Sequence, residues 1–118
     1  MLKSFACAVK GIIWVAASQR NMKIHLAAAV AVLVAAIRFQ INYLEAALVF
    51  LAIALVMVAE MVNTAVEKAV DLVTLEYHPL AGRAKDAAAG AVLLAAFFSA
   101  VIGLIVFLPY IRKWLAGI

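Results

Sequence analysis

Charge is scarce in this chain. Of its 118 residues, 14% are charged and 70% are hydrophobic, and the mean hydropathy is +1.18. A soluble domain carries about 25% charged and roughly 45–50% apolar residues, so there is too little polar surface here to coat a small soluble globule. Cysteine is nearly absent: Cys7 alone excludes an intramolecular disulfide and reads as a small apolar residue. With only two histidines beside it, a zinc site is disfavoured as well. There is no Walker loop, no kinase-type glycine-rich loop, no internal repeat and no low-complexity tail. The first apolar stretch is not a signal peptide, because Lys10 interrupts it and no cleavage site follows. The length is too small for two domains. The net charge of +4 sits in small clusters at the ends of apolar runs. That pattern suits a membrane surface and argues against nucleic acid as a partner.

What is present is a series of apolar runs. Residues 2–18 place Phe5, Val9, Ile12 and Ile13 on one side and Lys3 and Lys10 toward the other, the pattern of an amphipathic surface helix. Residues 24–37, "IHLAAAVAVLVAAI", form the first run, and "RFQINYLE" breaks it. Residues 46–59 form the second, whose helical pattern continues to about Thr74. "TLEYHPLAGR" is a turn in which Pro79 suits the start of the next helix. Residues 87–109 form the third and longest run. The fold expected is an all-α membrane protein, one domain over 1–118. It has a surface helix over about 2–18 and spans over about 22–38, 44–74 and 80–112.

The first two runs are shorter than the roughly 20 residues that cross a bilayer. Their polar flanks must therefore sit in the membrane or its interface, in a layer shielded by other helices. Three spans put the N-terminal segment and the second loop on one side, with Lys3, Lys10, Arg20, Lys23, Lys68, Arg83 and Lys85. Arg38, Arg112 and Lys113 fall on the other. Seven basic residues against three predict a cytoplasmic N-terminus.

Residues 59–71, "AEMVNTAVEKAVD", end the uncharged run with a polar stripe. At about 100° per residue, Glu60, Asn63, Glu67 and Asp71 fall at about 0°, 300°, 340° and 20°, on one helix face. Three carboxylates along one face repel each other. They persist only if cations from other helices or a divalent ion with hard oxygen ligands compensate. The next helix opens with Arg83, Lys85 and Asp86, and its antiparallel course turns that first turn toward the stripe. Its N-terminus adds free N–H groups and a positive dipole end, which favour phosphate. Gly82 and Gly90 flank Asp86 at i−4 and i+4 and leave one side of it bare. These parts suit phosphoryl transfer, which needs charge compensation, positioning and a base. They equally suit an ion-pair layer that assembles an oligomer, or a proton or ion pathway.

"AEMVNTAVEKAVDLVTLEYHPLAGRAKDAAAGAVLL" resembles the signature of the prokaryotic diacylglycerol kinase family, which includes undecaprenol kinases. The family layout, a surface helix and three spans, covers essentially the whole chain, and "SQRNMKIH" is similar to the undecaprenol kinase branch. The resemblance implies a homotrimer in the bacterial inner membrane, with composite active sites at the cytoplasmic interface. It implies ATP as donor, Mg2+ as cofactor and a membrane lipid alcohol as acceptor: undecaprenol, with diacylglycerol as the alternative. It implies Glu60 as the base, Asn63 as the residue orienting the site and Glu67 as a metal ligand. Lys3, Glu76, His78, Lys85 and Asp86 are implied as nucleotide contacts, and Lys10 as a basic residue at the interface near the acceptor. The family commonly has glutamate where Gln19 stands. Gln19 offers the metal a neutral carbonyl oxygen and no charge.

Each residue also has a plainer reading. Glu60 could be a buried ion pair with Lys85 or Arg83, Glu67 a simple salt bridge, and Asn63 an interhelical hydrogen bond. His78 could cap the turn before Pro79. Arg20 and Asn21 either meet the lipid head group or, for Arg20, anchor the membrane edge. His25 opens an apolar run and reads equally as a structural or a functional residue. Trp14, Tyr43, Tyr110 and Trp114 read as interfacial anchors. Met57, Met61, Phe97 and Phe98 read as packing.

Overall fold

The computed structural model describes residues 1–117 and consists of helices. They are α1 (Leu2–Ser18), α2 (Arg20–Phe39), α3 (Tyr43–Val73) and α4 (Pro79–Ala116). Among the described residues there is no strand, and α2, α3 and α4 are long and apolar enough to cross a membrane. At about 1.5 Å per residue α2 is about 30 Å long, which matches the hydrocarbon core. By the same measure α3 reaches about 46 Å and α4 about 57 Å, so both project beyond it.

The boundaries follow from local chemistry. Gln19 is the single residue between α1 and α2, with extended backbone (φ −100°, ψ 120°). Its N–H still bonds Val15 and its carbonyl accepts from Lys23 N, so it ends one helix and starts the next. Gln40 ends α2 in the left-handed region at φ 53°. Ile41 N–H then reaches back to the Ala36 carbonyl at 3.2 Å, which satisfies an end carbonyl of the helix. Asn42 and Glu45 form a reciprocal capping box at the start of α3: Glu45 N donates to Asn42 Oδ1 at 2.8 Å, and Asn42 N donates to Glu45 Oε1 at 3.1 Å. Pro79 opens α4 as the turn chemistry predicts, since a first-turn position needs no N–H.

The α3–α4 hairpin is the backbone of the bundle, and α2 lies against α3. Ser99 Oγ donates to the Ala52 carbonyl at 3.0 Å, a bond between the two long helices where no water competes. One apolar cluster, Val49, Val106 and Phe107 with Phe39, Ile53 and Ile102 packed on it, closes the end of the bundle near the α2–α3 turn. Tyr110 donates to Glu45 at that same end and ties α4 to the capping box. Along α3 the buried residues run Val49, Ala52, Val56, Glu60, Asn63 and Thr64, in helical steps of three and four. This face is apolar to Val56 and polar from Glu60 onward. The capping box and the polar half of α3 therefore lie at opposite ends. Asn42→Ala should lower stability in micelles by about 1 kcal/mol, as cap removal does, with turnover unchanged. A loss of turnover at unchanged stability would show that the two ends are not separate.

Candidate functional site

Glu60 is the eighteenth residue of α3, about 26 Å from the helix start. That puts it near the far edge of a hydrocarbon core of about 30 Å. It is 2% exposed. Its neighbours on α3 are tied among themselves: Thr64 Oγ1 donates to the Glu60 carbonyl at 3.0 Å, and Asn63 Nδ2 donates to Glu67 Oε1 at 3.2 Å. Two buried oxygens, Glu60 Oε2 and Asn63 Oδ1, have no hydrogen-bond partner. Buried polar atoms are nearly always paired, so two orphans one helical turn apart mark a place for another group to bind.

The expected alternative partners of Glu60 are engaged elsewhere or remote. Lys85 Nζ donates to Asp71 Oδ1 at 2.6 Å, with both side chains about two-fifths exposed. Arg83 is exposed and makes no ion pair with Glu60. The cation-capable group that stands near Glu60 is His25, whose Nε2 lies 3.6 Å from Glu60 Oε2. The sequence left His25 open between structural and functional readings. A signal was available: Met22, His25 and Ala29 recur at helical spacing, and Met22 and Ala29 are buried.

Two separate clefts lie along this half of the molecule, and they share no lining residue. The first, about 310 Å³, is lined by Asn21, His25, Glu60 and Asn63 with Ala89 and Val92 of α4. The second, about 370 Å³, lies at the α3–α4 turn and is lined by Thr74, Glu76, Tyr77, His78, Gly82 and Lys85. Three of the five expected nucleotide residues, Glu76, His78 and Lys85, thus share one cleft. His78 is also the N-cap of α4, its Nδ1 accepting from Leu80 N at 3.1 Å. Its neutral ring therefore carries the proton on Nε2, which leaves that nitrogen free to donate. Asp86 is exposed one residue beyond Lys85, and a Cβ added at Gly82 or Gly90 would meet nothing within 4 Å. The bare flank expected there is present. Arg20 is exposed at the first turn of α2, and Gln19 is half-buried at the α1–α2 joint. Lys3 and Lys10 are exposed on α1 and line neither cleft. α1 nevertheless packs at this end: Val15 is buried, and Lys68 Nζ stands 5.9 Å above the Trp14 ring.

A family profile described as prokaryotic diacylglycerol kinase matches residues 6–107. The chain belongs to the prokaryotic diacylglycerol kinase family. The undecaprenol kinase of Bacillus subtilis (strain 168) is 47% identical over 107 residues, covering 91% of this chain and 87% of that protein. A diacylglycerol kinase of Synechocystis is 44% identical over 110 residues, covering 92% of this chain and 63% of that longer protein. The diacylglycerol kinase of Escherichia coli (strain K12) is 54% identical over 41 residues, about a third of each chain. This family member is an integral membrane lipid kinase, with ATP and a lipid alcohol as substrates. The reading of the chain as a non-enzymatic scaffold or ion pathway gives way to that activity.

Among the described residues no three His, Cys, Asp or Glu side chains cluster as a metal cage. The donor set here is one carboxylate, Glu67, beside the unpaired Asn63 oxygen. That set fits Mg2+, which is commonly held by one or two carboxylates together with substrate phosphates. Asn63→Ala removes both the donor to Glu67 and the orphan oxygen. We expect turnover to fall at least about tenfold, while stability drops by only about 1 kcal/mol. A turnover equal to wild type would show that the pair serves packing alone.

Proposed function

We propose that this kinase transfers the γ-phosphoryl group of MgATP to undecaprenol, giving undecaprenyl phosphate. The observation that carries the reading is Glu60, a carboxylate 2% exposed that lines a cleft and whose Oε2 has no hydrogen-bond partner. An acid left buried in that state is unfavourable unless it is used. Its use is as a base that takes the proton from the acceptor hydroxyl as that oxygen attacks the γ-phosphorus. The bond to the leaving β–γ bridging oxygen breaks in the same step, and ADP departs.

The other residues prepare that event. Lys85, held by Asp71, offsets phosphate charge. Glu76 and the free Nε2 of His78 line the cleft for the nucleotide, with Asp86 at its exposed edge. Glu67 and Asn63 would hold Mg2+ with ATP oxygens, and the ion supplies neutralisation of phosphate charge when bound. Gln19 would add a weak oxygen ligand. Asn21, Arg20 and Lys10 meet the acceptor head group at the interface, and Lys3 lies toward the phosphates. An apolar groove of about 280 Å³ continues from the cleft into the bundle, lined by His25, Ala29, Val56, Ala96, Ser99 and Gly103. It suits a hydrocarbon chain attached to the alcohol.

The acceptor rests on the likeness to a protein named undecaprenol kinase. The second reading, diacylglycerol, rests on relatives that carry that name. We further propose a homotrimer in the bacterial inner membrane, with the N-terminus and the site on the cytoplasmic side. The excess of basic residues at the α1 and α3–α4 end supports that orientation.

Purified protein in bicelles should phosphorylate undecaprenol faster than diacylglycerol, and Glu60→Gln should lower turnover by about 10²- to 10⁴-fold with the oligomer intact. Faster turnover of diacylglycerol would replace the acceptor and keep the mechanism. Full activity in Glu60→Gln would end the assignment of the base. Chelation of Mg2+ should abolish turnover, and Gln19→Glu should lower the Mg2+ concentration needed for half-maximal rate. An unchanged Mg2+ requirement in that variant would remove Gln19 from the metal site.

A further inference from the structure

We infer that His25 is the positioning residue for Glu60. This rests on the reading of Glu60 as the base. Its Nε2 lies 3.6 Å from Glu60 Oε2, just beyond hydrogen-bond distance and within ion-pair distance. Among the described residues no lysine or arginine makes an ion pair with Glu60. The two polar side chains nearest along and across the helices act on different parts of Glu60. On its own helix the Thr64 hydroxyl is bonded to the Glu60 backbone, leaving the carboxylate untouched. Across the helix interface, His25 faces Oε2.

The position of His25 is set by packing. Met22, one turn before it, is 0% exposed, and Ala29, one turn after it, is 9% exposed. This buried stripe fixes the rotation of α2 against α3, and with it the direction of the imidazole. His25 is also shared between the polar cleft at Glu60 and the apolar groove behind it, as is Ala96. It therefore stands where an acceptor would change from hydroxyl to hydrocarbon. An imidazole there limits how far the carboxylate can swing. Nε2 stands beside Oε2 at 3.6 Å and leaves Oε1 to meet the hydroxyl. A base one ångström out of place loses about 10²-fold in rate, so a short tether of this kind acts on kcat and leaves nucleotide binding alone.

The test compares His25→Gln, which keeps a side-chain donor, with His25→Phe, which keeps the ring and removes it. Turnover is measured in bicelles with kcat and the KM for ATP separated, and Glu60→Gln is run beside them. We expect His25→Phe to lose about 10- to 100-fold in kcat with the KM for ATP within about twofold, and His25→Gln to recover most of the loss. As a reading independent of turnover, the imidazole 15N resonances of His25 in the wild-type protein should shift in Glu60→Gln. The chain has two histidines, so a His78 variant assigns them. Unchanged kcat in His25→Phe, or equal losses in both His25 variants, or 15N resonances indifferent to Glu60→Gln, would overturn the inference. If Glu60→Gln is inactive while His25→Phe is fully active, His25 alone is refuted. If Glu60→Gln is fully active, the base assignment falls first.

Discussion

A carboxylate held dry at the membrane edge is the constraint on which this structure turns. Glu60 is buried on the face of α3 that packs against its neighbours, and no lysine or arginine comes to it. Burial of an ionisable group without full pairing is unfavourable. The rest of the bundle makes it tolerable. The α3–α4 hairpin is tied by Ser99, α2 is held against α3 by its Met22 and Ala29 stripe, and the opposite end is closed by Val49, Val106 and Phe107. The apolar half of α3 supplies the packing energy, and the polar half carries the groups that need shielding.

Two ion-bearing layers are thereby kept apart. The deeper layer holds Glu60, His25, Asn63 and Glu67, with unpaired oxygens. The outer layer holds Asp71 and Lys85, partly exposed and paired with each other at 2.6 Å. Partly exposed pairs add little to stability, so the outer pair is better understood as a holder for the lysine than as a strut. The separation leaves a polar cleft at the turn between α3 and α4, and an apolar groove beside the deeper layer.

Much of this was legible from residue order alone. The four helices and the start of α4 at Pro79 follow from apolar runs and turn chemistry, whereas the break expected over 38–45 is confined to residues 40–42, because the Asn42–Glu45 capping box starts α3 early. The stripe from Glu60 to Asp71 follows from helical spacing. What spacing within one helix cannot give is the rotation of one helix against another. Lys85 and Arg83 were both electrostatically plausible partners for Glu60. The packing gave Lys85 to Asp71, about three turns along the helix, and turned His25 toward Glu60 instead. The dual position of His78, capping α4 through Nδ1 while facing a cleft, is likewise a matter of ring orientation, which residue type leaves undetermined.

The joint at Gln19 carries a mechanical consequence. One extended residue separates α1 from α2, and a connection that short has no slack. A helix crossing the core takes its tilt from bilayer thickness. Linked through Gln19 alone, α1 and α2 cannot tilt independently. A thicker or thinner bilayer therefore reaches the first turns of α2, and with them the side chains that face Glu60, as a change of leverage. The lipid around this protein is thus part of its geometry as well as its solvent.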